Sequence, residues 1–304
     1  MIPFVPAPVF EYGRTDPVSP LIRRVIANNP GPFTFTGTGT YIIGRAELGA
    51  GVAVIDPGPL DEAHLTALLA AVEGQTVSHV LVTHTHRDHA PLARPFADIV
   101  GAPILAARPP ARTVHASAAL DEDDDETFAP DIVLTGGEWL RGDGWTIEAL
   151  ATPGHASNHM AFALHEENAL FSGDHVMGWS TTIVAPPDGD MVAYMASLDA
   201  VITRGFSTIW PTHGSPITEP GPFLEAYRAH RLGREAQVLA RLADGDRRIA
   251  DMVPILYAAV DSRLWPAASL SVWAHLIALE QAGRVQAKPG PTIDADWILI
   301  AVRT

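Results

Sequence analysis

The sequence predicts a layered α/β domain followed by a small helical module, and three observations carry that expectation. Short β-type runs recur through the first two thirds of the chain. Helical patterns sit between some of them, and from residue 221 the texture turns helical before closing on two short strand-like pieces. A chain of 304 residues has room for one large domain and one small one. The boundary is placed near residue 220, within Glu219-Pro220-Gly221-Pro222, which gives domains of 1–220 and 221–304.

The strand-like runs are FTFTGTGTYIIG (33–44), GVAVIDPG (51–58), HVLVTH (79–84), WTIEALATPG (145–154), MAFAL (160–164) and ALFSGD (169–174). Most of them end on Gly, Pro, Asp or His. Between them, LDEAHLTALLAAVEG (60–74) and MVAYMASLDAVITRG (191–205) repeat apolar residues at three and four, and each closes on Gly, a helix-stop signal. The later segments PFLEAYRAHRLGREAQVLARLADG (222–245), RRIADMVPILYAAV (247–260) and SLSVWAHLIALEQAG (269–283) read as three helices. RVQAKPG and DADWILIAV then form a hairpin around a Pro-Gly turn, and three helices followed by a hairpin is the order of a winged-helix module.

Hydrophobic residues make up 47% and charged residues 18%, an ordinary globular balance with enough apolar material for a core. The absence of cysteine excludes disulfides, iron–sulfur clusters and thiolate zinc fingers, so any metal must sit on nitrogen and oxygen ligands. The first residues lack a basic start and a sustained apolar run, and no stretch reaches the roughly 18 apolar residues of a membrane span, so a cytoplasmic protein with no membrane partner is expected. A net charge of −15 opposes casual binding to phosphate backbones. Residues 221–304 hold 10 basic against 9 acidic residues, net +1, which leaves 10 against 26, net −16, in residues 1–220. Any RNA contact would therefore fall to the C-terminal module, where Arg228, Arg231, Arg234, Arg241, Arg247 and Arg248 form either a basic face or an ordinary solvated helix surface. The acidic run at 121–126 reads as a solvated, self-repelling loop.

Chemistry concentrates in His84-Thr85-His86-Arg87-Asp88-His89, directly after the apolar run Leu81-Val82-Thr83. Three imidazoles and a carboxylate within six residues cannot all be bland core groups, because each needs a partner or incurs a desolvation cost of about 1 to 3 kcal/mol. A cation resolves the problem. Residues 84 and 86 project together from an extended segment, whereas Asp88 and His89, past the bend, reach a neighbouring position suited to a second ion. Three further candidates each follow a strand-like run: His155 in TPGH, Asp174 in FSGD and His213 in WPTHG. Asp56, in VIDPG, also follows a strand-like run. His64, His79, His115, His165, His230 and His275 have no such neighbours and are taken as structural or surface groups.

The HxHxDH segment followed by separated His, Asp and His resembles the metallo-β-lactamase superfamily from about residue 33 to 214. TPGHASNHMAF, ALFSGDHVMGWSTT and IWPTHGSPI are similar to the subgroup that includes beta-lactamase-like protein 2, whose C-terminal extension is also helical with a winged-helix character. The resemblance implies an αββα sandwich with two divalent metal ions at one edge, zinc by default, with iron or manganese compatible with the same ligands. It implies that His84, His86 and His155 hold one ion, that Asp88, His89 and His213 hold the other, that Asp174 bridges them, and that Asp56 orients a ligand histidine. Relatives commonly carry Thr where this chain has Ala156 and an acidic residue near Asn158, so hydrogen bonding there is expected to differ.

A water shared by two such ions becomes acidic enough to give hydroxide near neutral pH, so a binuclear metal-dependent hydrolase is expected. Asp88 is expected to orient the hydroxide, and His159 and His175 are candidates for substrate contact or proton donation, against a plainer reading of both, and of Tyr194, as structural residues. The substrate expected is a small-molecule ester or thioester. The alternatives are an endoribonuclease acting on single-stranded RNA and a non-catalytic metal-stabilised binding protein. The sequence leaves the oligomeric state open.

Overall fold

The computed structural model describes residues 1–47, 49–109, 125 and 127–300, so His115 and all of the acidic run except Asp125 lie outside the described residues. Two sheets face each other. The first has seven strands in sequential order: β1 (Asp16–Pro17), β2 (Ile22–Ile26), β3 (Gly39–Ile43), β4 (Gly51–Ile55), β5 (Thr76–Leu81), β6 (Ile104–Ala107) and β7 (Ile132–Leu134). It is antiparallel from β1 to β4 and parallel from β4 to β7, with α1 (Glu62–Ala71) crossing from β4 to β5 and α2 (Ala93–Val100) from β5 to β6. The second sheet contains β8 (Trp139–Arg141), β9 (Thr146–Ala151), β10 (Met160–Leu164), β11 (Ala169–Gly173) and β12 (Thr208–Pro211), with α3 (Met191–Arg204) crossing from β11 to its parallel neighbour β12.

The side-chain period of two explains why so many strands are apolar throughout. Tyr41, Ile43, Ala53, Ile55 and Leu81 point into the space between the sheets, where they meet Ile147, Phe162, Phe171 and Trp210. Their neighbours Ile42, Val52, Val54 and Val80 point the other way, onto Leu68 of α1 and Phe96 of α2. Ala161, Ala163, Leu170 and Ile209 likewise cover the outer face of the second sheet beneath Tyr194, Leu198 and Val201 of α3. The central strands β2, β3, β4, β10 and β11 are buried on both faces, so alternation between polar and apolar residues vanishes there and four layers, αββα, result. Local signals set the helix ends: the Asp61 and Asp190 side chains accept backbone N–H bonds at the starts of α1 and α3, and Gly205 closes α3 in the left-handed region at φ 64°.

The C-terminal module contains α4 (Pro220–Ala243), α5 (Ile249–Leu256), α6 (Trp265–Gln281) and the hairpin β13 (Val285–Lys288) with β14 (Asp296–Leu299). Its core gathers Val238, Leu242, Met252, Leu270, Leu276, Val285 and Trp297. The first half of α4 belongs elsewhere, since Phe223, Leu224 and Tyr227 pack into the layer outside the second sheet. Among the described residues no helix is long and apolar enough to cross a membrane.

The sequence patterns do not single out β1, β6, β7, β8 or α2, and three further elements depart from the sequence expectation. Residues 33–38 make turns rather than a strand, with Phe35 and Gly37 at positive φ, and pairing begins only at Gly39. Strand β2, IRRVI, is buried despite two consecutive arginines, because Arg23 donates to Ala71 O and Gln75 Oε1 and Arg24 to Gly214 O. Helix α6 begins four residues before Ser269, with Pro266 in its first turn, where a missing N–H costs nothing.

Candidate metal centre

Five strands deliver the site to one edge of the sandwich. β4 ends just before Asp56, β5 before the 84–89 segment, β9 before His155, β11 immediately before Asp174 and β12 before His213. The expected seven side chains come together there in three overlapping groups: His84 with His86 and His155, His84 with His89 and Asp174, and Asp88 with His89 and His213. In each group the ligand atoms lie within 4.8 Å of one another. His86 Nδ1 is 2.9 Å from His84 Nε2 and 3.2 Å from His155 Nε2. Nitrogens held about 2.0–2.1 Å from a tetrahedral zinc stand roughly 3.3 Å apart, so this trio has the spacing of a ligand set. His213 Nε2 is 3.0 Å from Asp88 Oδ2, and His89 Nε2 is 3.4 Å from the same oxygen. Asp174 stands between the groups: Oδ1 faces His213 at 3.5 Å and His89 at 3.6 Å, while Oδ2 faces His155 at 3.9 Å.

The far side of each ring decides which nitrogen faces inward. His155 Nδ1 donates to Ile183 O at 2.7 Å and His213 Nδ1 to Gly37 O at 3.2 Å; a carbonyl only accepts, so both Nδ1 atoms carry the proton. His89 Nδ1 donates to Asp56 Oδ2 at 2.9 Å. The Thr83 hydroxyl spends its own proton on Asp56 Oδ2 and therefore accepts from His84 Nδ1, 3.0 Å away. Four imidazoles are thus fixed with Nε2 towards the shared centre. Asp56 also accepts from Thr83 N and from the Thr212 hydroxyl, and residues 83 and 212 each directly precede a histidine of the cluster. Nothing in the sequence flagged these threonines or the two carbonyls, although adjacency to a candidate ligand would have been a usable signal for Thr83 and Thr212.

The inward atoms meet the test of a cation site. His89 Nε2, His213 Nε2 and Asp174 Oδ1 are buried with no hydrogen-bond partner, which is costly unless something positive binds them. The field of the chain is divided in the same way. Burial, then the neighbouring imidazoles, push His84 well below the usual histidine range, and burial and His155 push His86 down to about 3. Burial opposes protonation of His89 and His213 as well, but Asp88 and Asp174 outweigh it, holding His89 well above the usual range and His213 up at about 10. Asp174 is held well below the usual carboxylate range: burial resists this, and His213 and His89 overcome it.

For His159 and His175 the geometry fits the plainer, structural reading, since neither belongs to the groups of converging ligand atoms. His159 donates from Nδ1 to the Thr152 hydroxyl at 2.8 Å and accepts from Asp174 N–H at Nε2, 3.1 Å away, so both ring nitrogens serve to hold the loop that presents Asp174. His175 follows Asp174 but is fully buried, its ring 5.0 Å from that of Tyr194. Tyr194 itself donates to His175 O, a structural role. At the positions where a difference from relatives is expected, Ala156 is buried and Asn158 donates to the Thr85 hydroxyl at 3.0 Å, linking the β9–β10 loop to the 84–89 segment. His64 bonds the Thr40 hydroxyl, and His79 and His165 pack on Trp145 and Trp139, all apart from the cluster.

Comparison with known proteins agrees with this geometry. The family model described as the metallo-beta-lactamase superfamily matches residues 36–213, and that of the beta-lactamase associated winged helix domain matches residues 249–297. An atrochrysone carboxyl ACP thioesterase of Aspergillus chevalieri is 34% identical over 77% of this chain and 69% of its own length. A beta-lactamase-like protein 2 homolog of Drosophila melanogaster is 30% identical over 87% of this chain and 89% of its own. The crystal structure of a beta-lactamase domain protein from Burkholderia ambifaria superposes with a TM-score of 0.78 at 23% identity, covering 96% of this chain and 95% of that one, which speaks for the fold.

Proposed function

The chain belongs to the metallo-beta-lactamase superfamily, and we propose that it is a hydrolase holding two divalent ions, zinc by default, that cleaves a small-molecule ester or thioester. The observation that carries this reading is the set of imidazoles whose outer nitrogens are spoken for and whose inner nitrogens converge with two carboxylates. His84, His86 and His155 would hold one ion, Asp88, His89 and His213 the other, with Asp174 between them. Ions bound there would supply a water acidic enough to attack near neutral pH and would polarise the acyl oxygen. The chain does the positioning. Asp88 is the cluster's most exposed side chain, at 20%, and lines a groove with the 29–34 loop, so its carboxylate, 3.0 Å from His213 Nε2, is also available to orient the attacking water. The Pro30, Pro32 and Phe33 side of that groove offers an apolar wall for an acyl group.

The thioesterase name of the Aspergillus relative supports carbonyl chemistry. Three of the six arginines that would favour RNA are ion-paired, Arg228 with Asp199, Arg241 with Asp244 and Asp246, and Arg248 with Asp296; Arg247 donates to Leu242 O and Asp246 O, and Arg231 is buried. The test is to purify the protein, count metal per chain, and assay acyl-thioesters, lactones and single-stranded RNA beside His86→Ala. Thioester turnover lost in the variant is the expected result. Cleavage of RNA alone would replace this reading with the nuclease, and metal without turnover of any substrate would replace it with a binding protein.

A further inference from the structure

Arg231 and Arg234 lie three residues apart on α4 and so share a face. Both line a cleft of about 160 Å³ between the 177–183 loop and the C-terminal helices. Arg231 is only 4% exposed. It donates to Thr182 O and lies 4.8 Å from the Tyr194 ring, while Arg234 donates to Leu256 O at 2.7 Å and lies 4.1 Å over the Tyr257 ring. Among the described residues no carboxylate stands within 4.0 Å of either guanidinium, and no acidic residue lines the cleft. Four nitrogens of the lining residues are buried without a partner: Arg231 Nε, Arg234 Nε, Trp179 Nε1 and His230 Nδ1. Two uncompensated cations beside unused donors, in a chain of net charge −15, call for an anion. Burial, followed by Arg231 and Arg234, pushes His230 down to about 4, the expected response to that positive field.

The cleft and the metal centre share a wall. Thr182 and Ile183 line the cleft, while the Thr182 hydroxyl donates to Asp174 O at 2.7 Å and Ile183 O receives the His155 Nδ1 proton. Pro32 and Phe33 line both this cleft and the groove beside Asp88. A molecule with its acyl carbon at the ligand cluster could therefore extend over the 29–34 loop into the cleft.

We propose that this cleft is an anion-binding subsite, taking a carboxylate or phosphate carried by the substrate away from the bond that is cleaved, with Arg234 and Arg231 as its cationic wall. Its assignment to the substrate, though not the anion site itself, rests on the hydrolase reading above. The two sources of the anion are separated by paired substrates. Succinyl against butyryl thioesters of N-acetylcysteamine place a carboxylate on the acyl side, and butyryl-phosphopantetheine against butyryl-N-acetylcysteamine places a phosphate on the thiol side.

With the metal-loaded protein, Arg234→Gln should raise KM for the substrate bearing the correctly placed anion by about tenfold, the worth of one charge-assisted hydrogen bond. It should leave kcat and the neutral substrate unchanged. Arg234 is only partly buried and its loss should be tolerated in folding, which a thermal melt checks. Independently of turnover, succinate and inorganic phosphate are titrated calorimetrically into His86→Ala, and the binding heat should vanish in His86→Ala/Arg234→Gln. Equal effects on neutral and anionic substrates, or anion binding indifferent to Arg234, would overturn the subsite. Arg234-dependent anion binding with no thioester turnover would sustain the anion site and overturn its place in hydrolysis.

Discussion

Asp56 sits buried at φ 50° with four donors on one carboxylate: Thr83 N, the Thr83 and Thr212 hydroxyls, and His89 Nδ1. An amide in its place keeps the shape but turns one acceptor into a donor facing other donors. Asp56→Asn should therefore weaken divalent-ion binding by about 10- to 100-fold, as loss of a ligand-orienting partner commonly does, and chelator competition measures it. Unchanged affinity would mean that His89 is oriented by something else. A second expectation concerns protons. His213, raised to about 10, and His89, raised well above the usual range, are protonated at neutral pH in the ion-free chain, and a divalent cation must displace those protons from the same nitrogens. Affinity should then fall as pH falls and rise towards pH 10, and about two protons should be released per chain at pH 7, read by calorimetry in buffers of different ionisation enthalpy. Release of none would contradict the arrangement. At this scale the sequence is legible where chemistry is improbable: imidazoles and carboxylates repeated at strand ends announce themselves. The carbonyls of Gly37 and Ile183, which fix two tautomers, carry no side-chain signal at all. His159 and His175 mislead because closeness in sequence to His155 and Asp174 does not say where a ring nitrogen points: both nitrogens of His159 are taken up by Thr152 and the Asp174 N–H.

Among the elements, β11 shows how tightly a strand end is tied to the site. Gly173 adopts φ 51° between the strand and Asp174, and a Cβ there would lie 2.6 Å from His159 Nε2 and 2.9 Å from Thr83 Cβ. Gly173→Ala should therefore displace the very ring that receives the Asp174 N–H. We expect a loss of about 1–3 kcal/mol of stability from backbone strain and crowding, together with weaker metal binding. Denaturant unfolding and metal titration of one preparation would show both, and a stability loss with intact metal binding would show that the loop adapts. Several strands were readable because burial on both faces makes them continuous apolar runs. β2 was not, because Arg23 and Arg24 look like surface residues until α1 and the 214 carbonyl are in place to receive them. The 33–38 stretch looked like a strand because Thr and Phe favour one, but turns at Phe35 and Gly37 place Gly37 O where His213 needs it.

Across the whole molecule the chain is less divisible than its sequence texture suggests. Helix α4 starts the C-terminal module, yet Phe223, Leu224 and Tyr227 are core residues of the outer layer of the sandwich, and Ala274 of α6 joins them. Tyr227 also accepts the Thr182 N–H and donates to Ser180 O, while Arg231 donates to Thr182 O, so α4 braces the loop whose next carbonyl, Ile183 O, orients His155. The metal centre therefore depends on the module behind it. Cutting the chain at residue 219 should strip the outer layer and yield insoluble or unfolded protein rather than a minimal enzyme. Tyr227→Phe probes the same linkage more gently, because it keeps the ring in the core but leaves the Thr182 N–H buried without an acceptor, at a cost of about 1–3 kcal/mol. The full-length protein should unfold in one transition, and Tyr227→Phe should shift that transition down and loosen metal binding together. If the variant instead melted in two steps with the metal-bound half unmoved, α4 would be a tether between independent units, and the bracing of His155 from the module would have to be abandoned.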